Sequence, residues 1–195
     1  MNNIVFFHIG QQEYVYEAIR QIKFYNPDSP IYFIGENIDE RIYKYVKFYS
    51  YKDLLCKQSF NFLSKFQNYS SNNSDFEKIC ILRWFCIRNL CIQESLDKIF
   101  YSDCDIMFYC SIKEEAKKFE KYFFSIAAKT SAHTSFINNL NVLEDFCSLV
   151  GISKPRLVYN LSTSSNFFIS KIIFILITHI ESLIALFCHL LSHCL

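Results

Sequence analysis

Two carboxylates stand one residue apart in the otherwise apolar run I-F-Y-S-D-C-D-I-M-F-Y, residues 99–109. Asp103 and Asp105 repel each other, and neither enters a core unpaired without a large desolvation cost. A fold tolerates the pair where a positive charge sits between them, and a divalent metal supplies one. Mg2+ and Mn2+ prefer oxygen donors and keep positions open for water or phosphate. A diphosphate in those positions has its own charge neutralised, and with it the charge that builds on a leaving group. Cys104 reads as a small spacer, because a thiolate beside two carboxylates favours softer metals. D-x-D is a short pattern, and the plain alternative is a solvated turn with both carboxylates in water. Its place raises it: an apolar run precedes it, another follows, and a long helical stretch leads in.

The elements that must hold this pair alternate. Residues 4–9 form a short apolar run, a buried strand. Residues 11–24 carry apolar positions at helical spacing, and Asn26-Pro27-Asp28 ends them. Residues 31–34 form a second strand closed by Gly35. Strand, helix, strand at this length is a right-handed parallel unit. A short helix is expected over 39–44, a strand over 45–49 and a helix over 53–66. After the polar loop 68–74, Asp75 reads as the cap of a long helix over 76–91. A strand over 98–102 places Asp103 and Asp105 at its C-terminal end. A helix over 112–120, a strand over 122–128 and a helix over 136–149 complete the pattern. The fold class is therefore α/β, a mostly parallel central sheet with helices on both faces. In such sheets ligands bind beyond the carboxyl ends of the strands, where His8, Gly10, Asp103 and Asp105 all fall.

Composition narrows the function. The 195 residues suit one ordinary domain, and 51% hydrophobic with 20% charged residues is globular rather than disordered. A formal net charge of +1 gives no basic excess to bind nucleic acid. The nine cysteines contain no C-x2-C pair and are odd in number, so buried reduced thiols and a reducing, cytoplasmic compartment are expected. The first ten residues lack the positive region of a signal peptide.

Three stretches together resemble nucleotide-diphospho-sugar glycosyltransferases of the GT-A fold, bacterial type. V-F-F-H-I-G-Q-Q-E-Y-V-Y-E-A-I-R-Q-I-K-F-Y-N-P-D-S-P-I-Y-F-I-G is similar to their opening strand-helix-strand. F-E-K-I-C-I-L-R-W-F-C-I-R-N-L is similar to a long helix with a basic residue facing the sugar nucleotide. I-F-Y-S-D-C-D-I-M-F is similar to the metal-binding D-x-D strand. The resemblance implies that His8, Ile9 and Gly10 border the nucleobase and ribose. Gly10 would let backbone approach the ligand. Arg83 would reach the diphosphate or sugar, its fork of donors suiting phosphate, with Arg88 as substitute. The other expectation for Arg83 is a surface ion pair with Glu77 or a neighbour, and for His8 a satisfied strand-end histidine. Trp84 reads as core. Asp103 would touch ribose or metal, and Asp105 would bind Mn2+ or Mg2+ directly. His133, in S-A-H-T-S-F, would lie on the acceptor side. The implied reaction moves a sugar from a nucleotide-sugar donor to a glycan or lipid-linked acceptor. An inverting enzyme also needs a carboxylate base, for which Glu144 and Asp145 stand in range. The haloacid-dehalogenase phosphatases also use D-x-D, but on a first strand and with a different continuation.

The likeness covers the first 145 residues or so, and residues 1–150 are the expected nucleotide-sugar-binding domain. Residues 151–195 differ. Gly151 and Pro155 break the pattern, and after Asp145 the sole acidic residue is Glu181. Residues 167–190 are long enough to span a bilayer, with Lys171 and Glu181 as their charges. Two expectations stand for this tail: membrane contact through 167–190, or a truncated or non-native end. His179, His189 and His193 on it read as chance rather than a metal cluster. If catalysis is lost with that half, what remains is a non-catalytic membrane-attached or partial α/β module.

Overall fold

Alternation along the first strand decides the layering. In β1 (Asn3–His8), Ile4 and Phe6 point to one side of the sheet, and Val5 and Phe7 to the other. All four are buried, as a strand covered on both faces requires. The computed structural model describes residues 3–68, 71–127 and 133–152. Within them a five-stranded sheet runs β3-β2-β1-β4-β5, built from β1, β2 (Ile31–Gly35), β3 (Lys47–Ser50), β4 (Ile99–Ser102) and β5 (Thr134–Ile137). The first four strands are parallel and β5 is antiparallel to β4.

On the Ile4 and Phe6 face lies α1 (Glu13–Tyr25), whose buried stripe Val15, Ala18, Ile19 and Ile22 follows helical spacing. The short α4 (Ile112–Ala116) adds Ile112 and Ala116 to the same layer. Asn26 ties these two together. Its side chain donates to the Cys110 carbonyl and accepts from the Ile112 amide, at 3.2 and 2.7 Å. The chain that leaves the D-C-D is thereby fastened to the end of α1.

On the Val5 and Phe7 face lie α2 (Lys57–Lys65), α3 (Ser74–Gln93) and α5 (Asn141–Ile152). From Ile81 onward α3 is buried on nearly every side, because it is the middle of a layered core. Its cap is Asn73, whose side chain accepts from the Asp75 and Phe76 amides. Asp75, expected as the cap, sits in the first turn, where its charge favours the helix dipole.

The structure corrects several expected elements. The strand expected over 122–128 is absent from its described part. Tyr122 and Phe123 are exposed, and Phe124 makes only an isolated bridge to Ile137. The pairing partner of β4 is Thr134–Ile137, with Ser135, Phe136 and Ile137 buried. The last helix consequently begins at Asn141 rather than 136, and it continues through Gly151 to Ile152. The 53–66 helix is a 3-10 turn, Tyr51–Leu54, followed by α2. Residues 153–195, with the 167–190 stretch and His179, His189 and His193, lie outside the described residues. Among the described residues no helix is long and apolar enough to cross a membrane.

Candidate functional site

Four parallel strands end on one edge, at His8, Gly35, Ser50 and Ser102. Register places Phe6 opposite Ser102, so His8 and Asp103 leave the sheet from adjacent strands. Gly35 is required here for space. A Cβ on it would meet the His8 carbonyl and the Phe33 ring, both at 2.8 Å.

Every residue of β4 is buried, and Asp103 follows it directly. The Asp103 amide donates to the His133 carbonyl at 2.8 Å, which fastens the D-C-D to the segment entering β5. Cys104 turns inward and is 2% exposed. Burial, then the charges of Asp103 and Asp105, hold its thiol proton far above the usual range. Cys104 is thus a neutral anchor that turns the carboxylates on either side of it outward.

The two carboxylates differ. The Asp103 side chain is 27% exposed, and its Oδ1 accepts from Arg83 Nη1 at 2.9 Å and from the Tyr101 hydroxyl. Tyr101 is fully buried under Arg83, and burial above all raises its phenol well beyond the usual 10.0. Tyr101 therefore stays neutral and donates. The Arg83 side chain is 18% exposed, its guanidinium carbon 5.1 Å from the Trp84 ring centre and 5.6 Å from that of Tyr101. Burial opposes its charge, but Tyr101 and Asp103 outweigh that and its pKa is raised. Arg83 Nε is buried without a hydrogen-bond partner among the described residues. Asp105 is exposed and forms no ion pair or side-chain hydrogen bond there. One carboxylate is held and half neutralised, and the other is presented free.

The loop after β1 completes the edge. His8 Nε2 bonds Gln12 Oε1, and its ring meets Tyr14 edge-on at 5.7 Å. Ile9 is half-buried and packs on the α3 core. Gly10 has φ +116°, a conformation that favours glycine. Tyr14 is 43% exposed. Its phenol is raised by burial and then by the charge of Asp105, which places the ring beside the D-C-D. Helical spacing alone does not separate Tyr14 from the buried stripe of α1. Only the β1–β4 adjacency, a long-range pairing, reveals it at the site.

His8, Ile9, Gly10, Arg83, Asp103 and Asp105 thus fall on one edge, but Arg83 pairs with Asp103 rather than Glu77. Arg88 is corrected outright. It is buried on the far side of α3, bound to Asn89 at 2.8 Å, Cys56 Sγ at 3.2 Å, Gln58, and Glu144 at 3.3 Å. Glu144 is consequently committed to Arg88. Trp84 is core, as expected.

Asp103 Oδ2 and the Asp105 carboxylate are hard oxygen donors of the kind Mg2+ and Mn2+ prefer. Among the described residues no group of three or more His, Cys, Asp or Glu side chains could hold a metal by itself.

The chain is similar in structure to mouse xyloside xylosyltransferase 1 in its apo form. The TM-score is 0.55 with 11% identity, over 92% of this chain and 82% of that one. At that identity the likeness is one of fold, an α/β fold shared with a glycosyltransferase. Two structures of LgtC also match, one an active-site mutant and one the galactosyltransferase in complex with donor and acceptor sugar analogs. Each covers 75% of this chain and 59% of the other at 14% identity, with TM-scores of 0.39 and 0.40. The chain spans about three fifths of LgtC. No family model and no curated protein matches the chain.

Proposed function

We propose that this protein is a metal-dependent glycosyltransferase that binds a nucleotide-sugar donor along the carboxyl edge of its sheet. The observation that carries this is the asymmetric pair at the end of β4: Asp103 fixed by Arg83 and Tyr101, Asp105 unpaired and exposed. A merely solvated turn has no use for a half-buried arginine beneath it. Asp105 and the second oxygen of Asp103 would hold Mn2+ or Mg2+. When bound, that ion neutralises a diphosphate and the charge that develops on its departure.

The chain's own residues supply the rest. Arg83 orients Asp103 and keeps donors available for a phosphate or sugar oxygen at the same edge. Tyr14 offers an exposed ring face against which a nucleobase can lie. His8, Ile9 and Gly10 line the ribose side, with Gly10 allowing backbone to come close. The acceptor is a hydroxyl of a glycan or a lipid-linked saccharide. A lipid-linked acceptor would go together with membrane contact through 167–190 at the cytoplasmic face.

The test is turnover. The full chain is incubated with UDP- and GDP-sugars and Mn2+, and release of nucleoside diphosphate is followed with and without saccharide acceptors. One donor is expected to be consumed, with the rate at least about 100-fold lower in Asp105→Ala, a loss of about 2.7 kcal/mol. No release from any donor, or release indifferent to Asp105→Ala, overturns the proposal.

A further inference from the structure

At the opposite edge of the sheet lies a cleft of about 410 Å³, within the size range of small-molecule sites. Asp97 and Lys98, just before β4, form one side, and Asn138 and Asn139, just after the antiparallel β5, form another. The cleft is therefore at the far end of β4 from Asp103, and shares no residue with the D-C-D edge.

Three features define what it would bind. The first is a pair of rings held outward on a fixed backbone. Tyr122 and Phe123 line the cleft, yet are 49% and 58% exposed. Their segment is fastened to the end of β5. The Asn138 side chain donates to the Phe119 and Tyr122 carbonyls at 2.9 and 3.0 Å. The Asn138 and Asn139 amides donate to the Phe123 carbonyl at 2.8 and 3.1 Å. Large apolar rings kept in water by so many bonds mark a contact surface rather than a packing failure.

The second feature is the polarity of the lining. Asn138, Asn139 and Asn141 line it; Asn138 spends both of its amide N–H groups on the Phe119 and Tyr122 carbonyls, while Asn141 carries an amide that both donates and accepts. That suits hydroxyl groups, which do the same. The third is charge. Asp97 and Glu120 are matched in number by Lys98 and Lys121, so the cleft carries no net field to attract an ion. None of these four takes part in an ion pair within the described residues, although Lys121 lies 5.0 Å over the Tyr122 ring. Their polar groups remain available to a ligand.

We propose that this cleft is a second carbohydrate site, binding an uncharged oligosaccharide. The C–H face of a pyranose ring stacks on Phe123 or Tyr122, and Asn141 and the charged rim take its hydroxyls. This goes beyond donor binding at the D-C-D and stands whether or not that edge holds a nucleotide.

Saturation-transfer NMR on the full chain tests it, with maltotetraose, xylotetraose and chitotetraose as probes at millimolar concentration. Transfer to at least one is expected. Tyr122→Ala and Phe123→Ala should each weaken that binding at least tenfold, and Asn141→Ala severalfold, while Asp105→Ala leaves it unchanged. Circular dichroism checks that each variant is folded. No transfer from any of the three overturns the proposal. So does transfer that survives both aromatic substitutions, or that disappears in Asp105→Ala, which would assign the sugar to the other edge.

Discussion

Helix α3 carries two arginines five residues apart, and they do opposite things. Arg88 is buried and fully engaged: Asn89, Gln58, Cys56 and Glu144 receive its donors, and the contact joins α2, α3 and α5. Arg83, turned to another side of the same helix, bonds through Nη1 alone, to Asp103 and Tyr101. Its Nε is buried and unbonded among the described residues. An arginine with every donor satisfied inside the protein is structural. One with donors in reserve, beside a carboxylate pair at a sheet edge, is set for something that binds and leaves.

That contrast breaks first at Arg88. Arg88→Ala is expected to lower stability by about 2–4 kcal/mol in urea denaturation, somewhat under the full cost of splitting a buried pair because Glu144 is half exposed. Folded protein should keep its nucleotide affinity within about twofold. Normal stability with lost affinity would move the ligand to Arg88. Next comes Arg83→Met. Stability should fall by less than in Arg88→Ala, about 1–2 kcal/mol: Asp103 loses its cation but keeps the Tyr101 hydroxyl, and methionine fills the space and removes an unsatisfied buried donor. Affinity for a nucleoside diphosphate should fall about 10- to 100-fold in a calorimetric titration, the worth of a charged hydrogen bond to phosphate.

A smaller effect sharpens the same contrast through pH. Cys86, Cys91 and Cys147 belong to the core that surrounds Arg88. Burial pushes each of their thiols from the ordinary 9.0 up to about 12. Folded, they keep their protons; unfolded, they ionise near 9.0. The stability they contribute is intact below pH 9 and is lost as pH rises from 9 toward 12. The slope is up to about 1.4 kcal/mol per pH unit for each thiol. Urea midpoints measured across pH 8 to 11 should fall, and less steeply in Cys86→Ala. A flat profile would contradict the burial of these thiols.

The opening strand-helix-strand was legible because three signals agree there: a continuous apolar run, a stripe at helical spacing, and Asn-Pro-Asp punctuation. Strand β5 was not. Thr134–Ile137 is short and half polar, and its strand character comes from pairing with β4, which no local pattern encodes. Tyr122 and Phe123 gave a stronger strand signal, yet the fold leaves both rings in water. At the site, residue types and order revealed Asp103, Asp105 and Arg83. Their division of labour was hidden, because it depends on Tyr101 and on a contact spanning twenty residues. Arg83 and Arg88 look alike in the sequence, and only their burial and partners separate them.

The most direct test of the central claim is calorimetric titration of UDP and GDP into the full chain, with and without Mn2+, beside Asp105→Ala. The account predicts binding of at least one nucleotide that requires Mn2+ and weakens at least about 100-fold in the variant. No binding by well-folded protein, or binding indifferent to both Mn2+ and Asp105, would contradict it and leave Asp103 and Asp105 as a solvated turn.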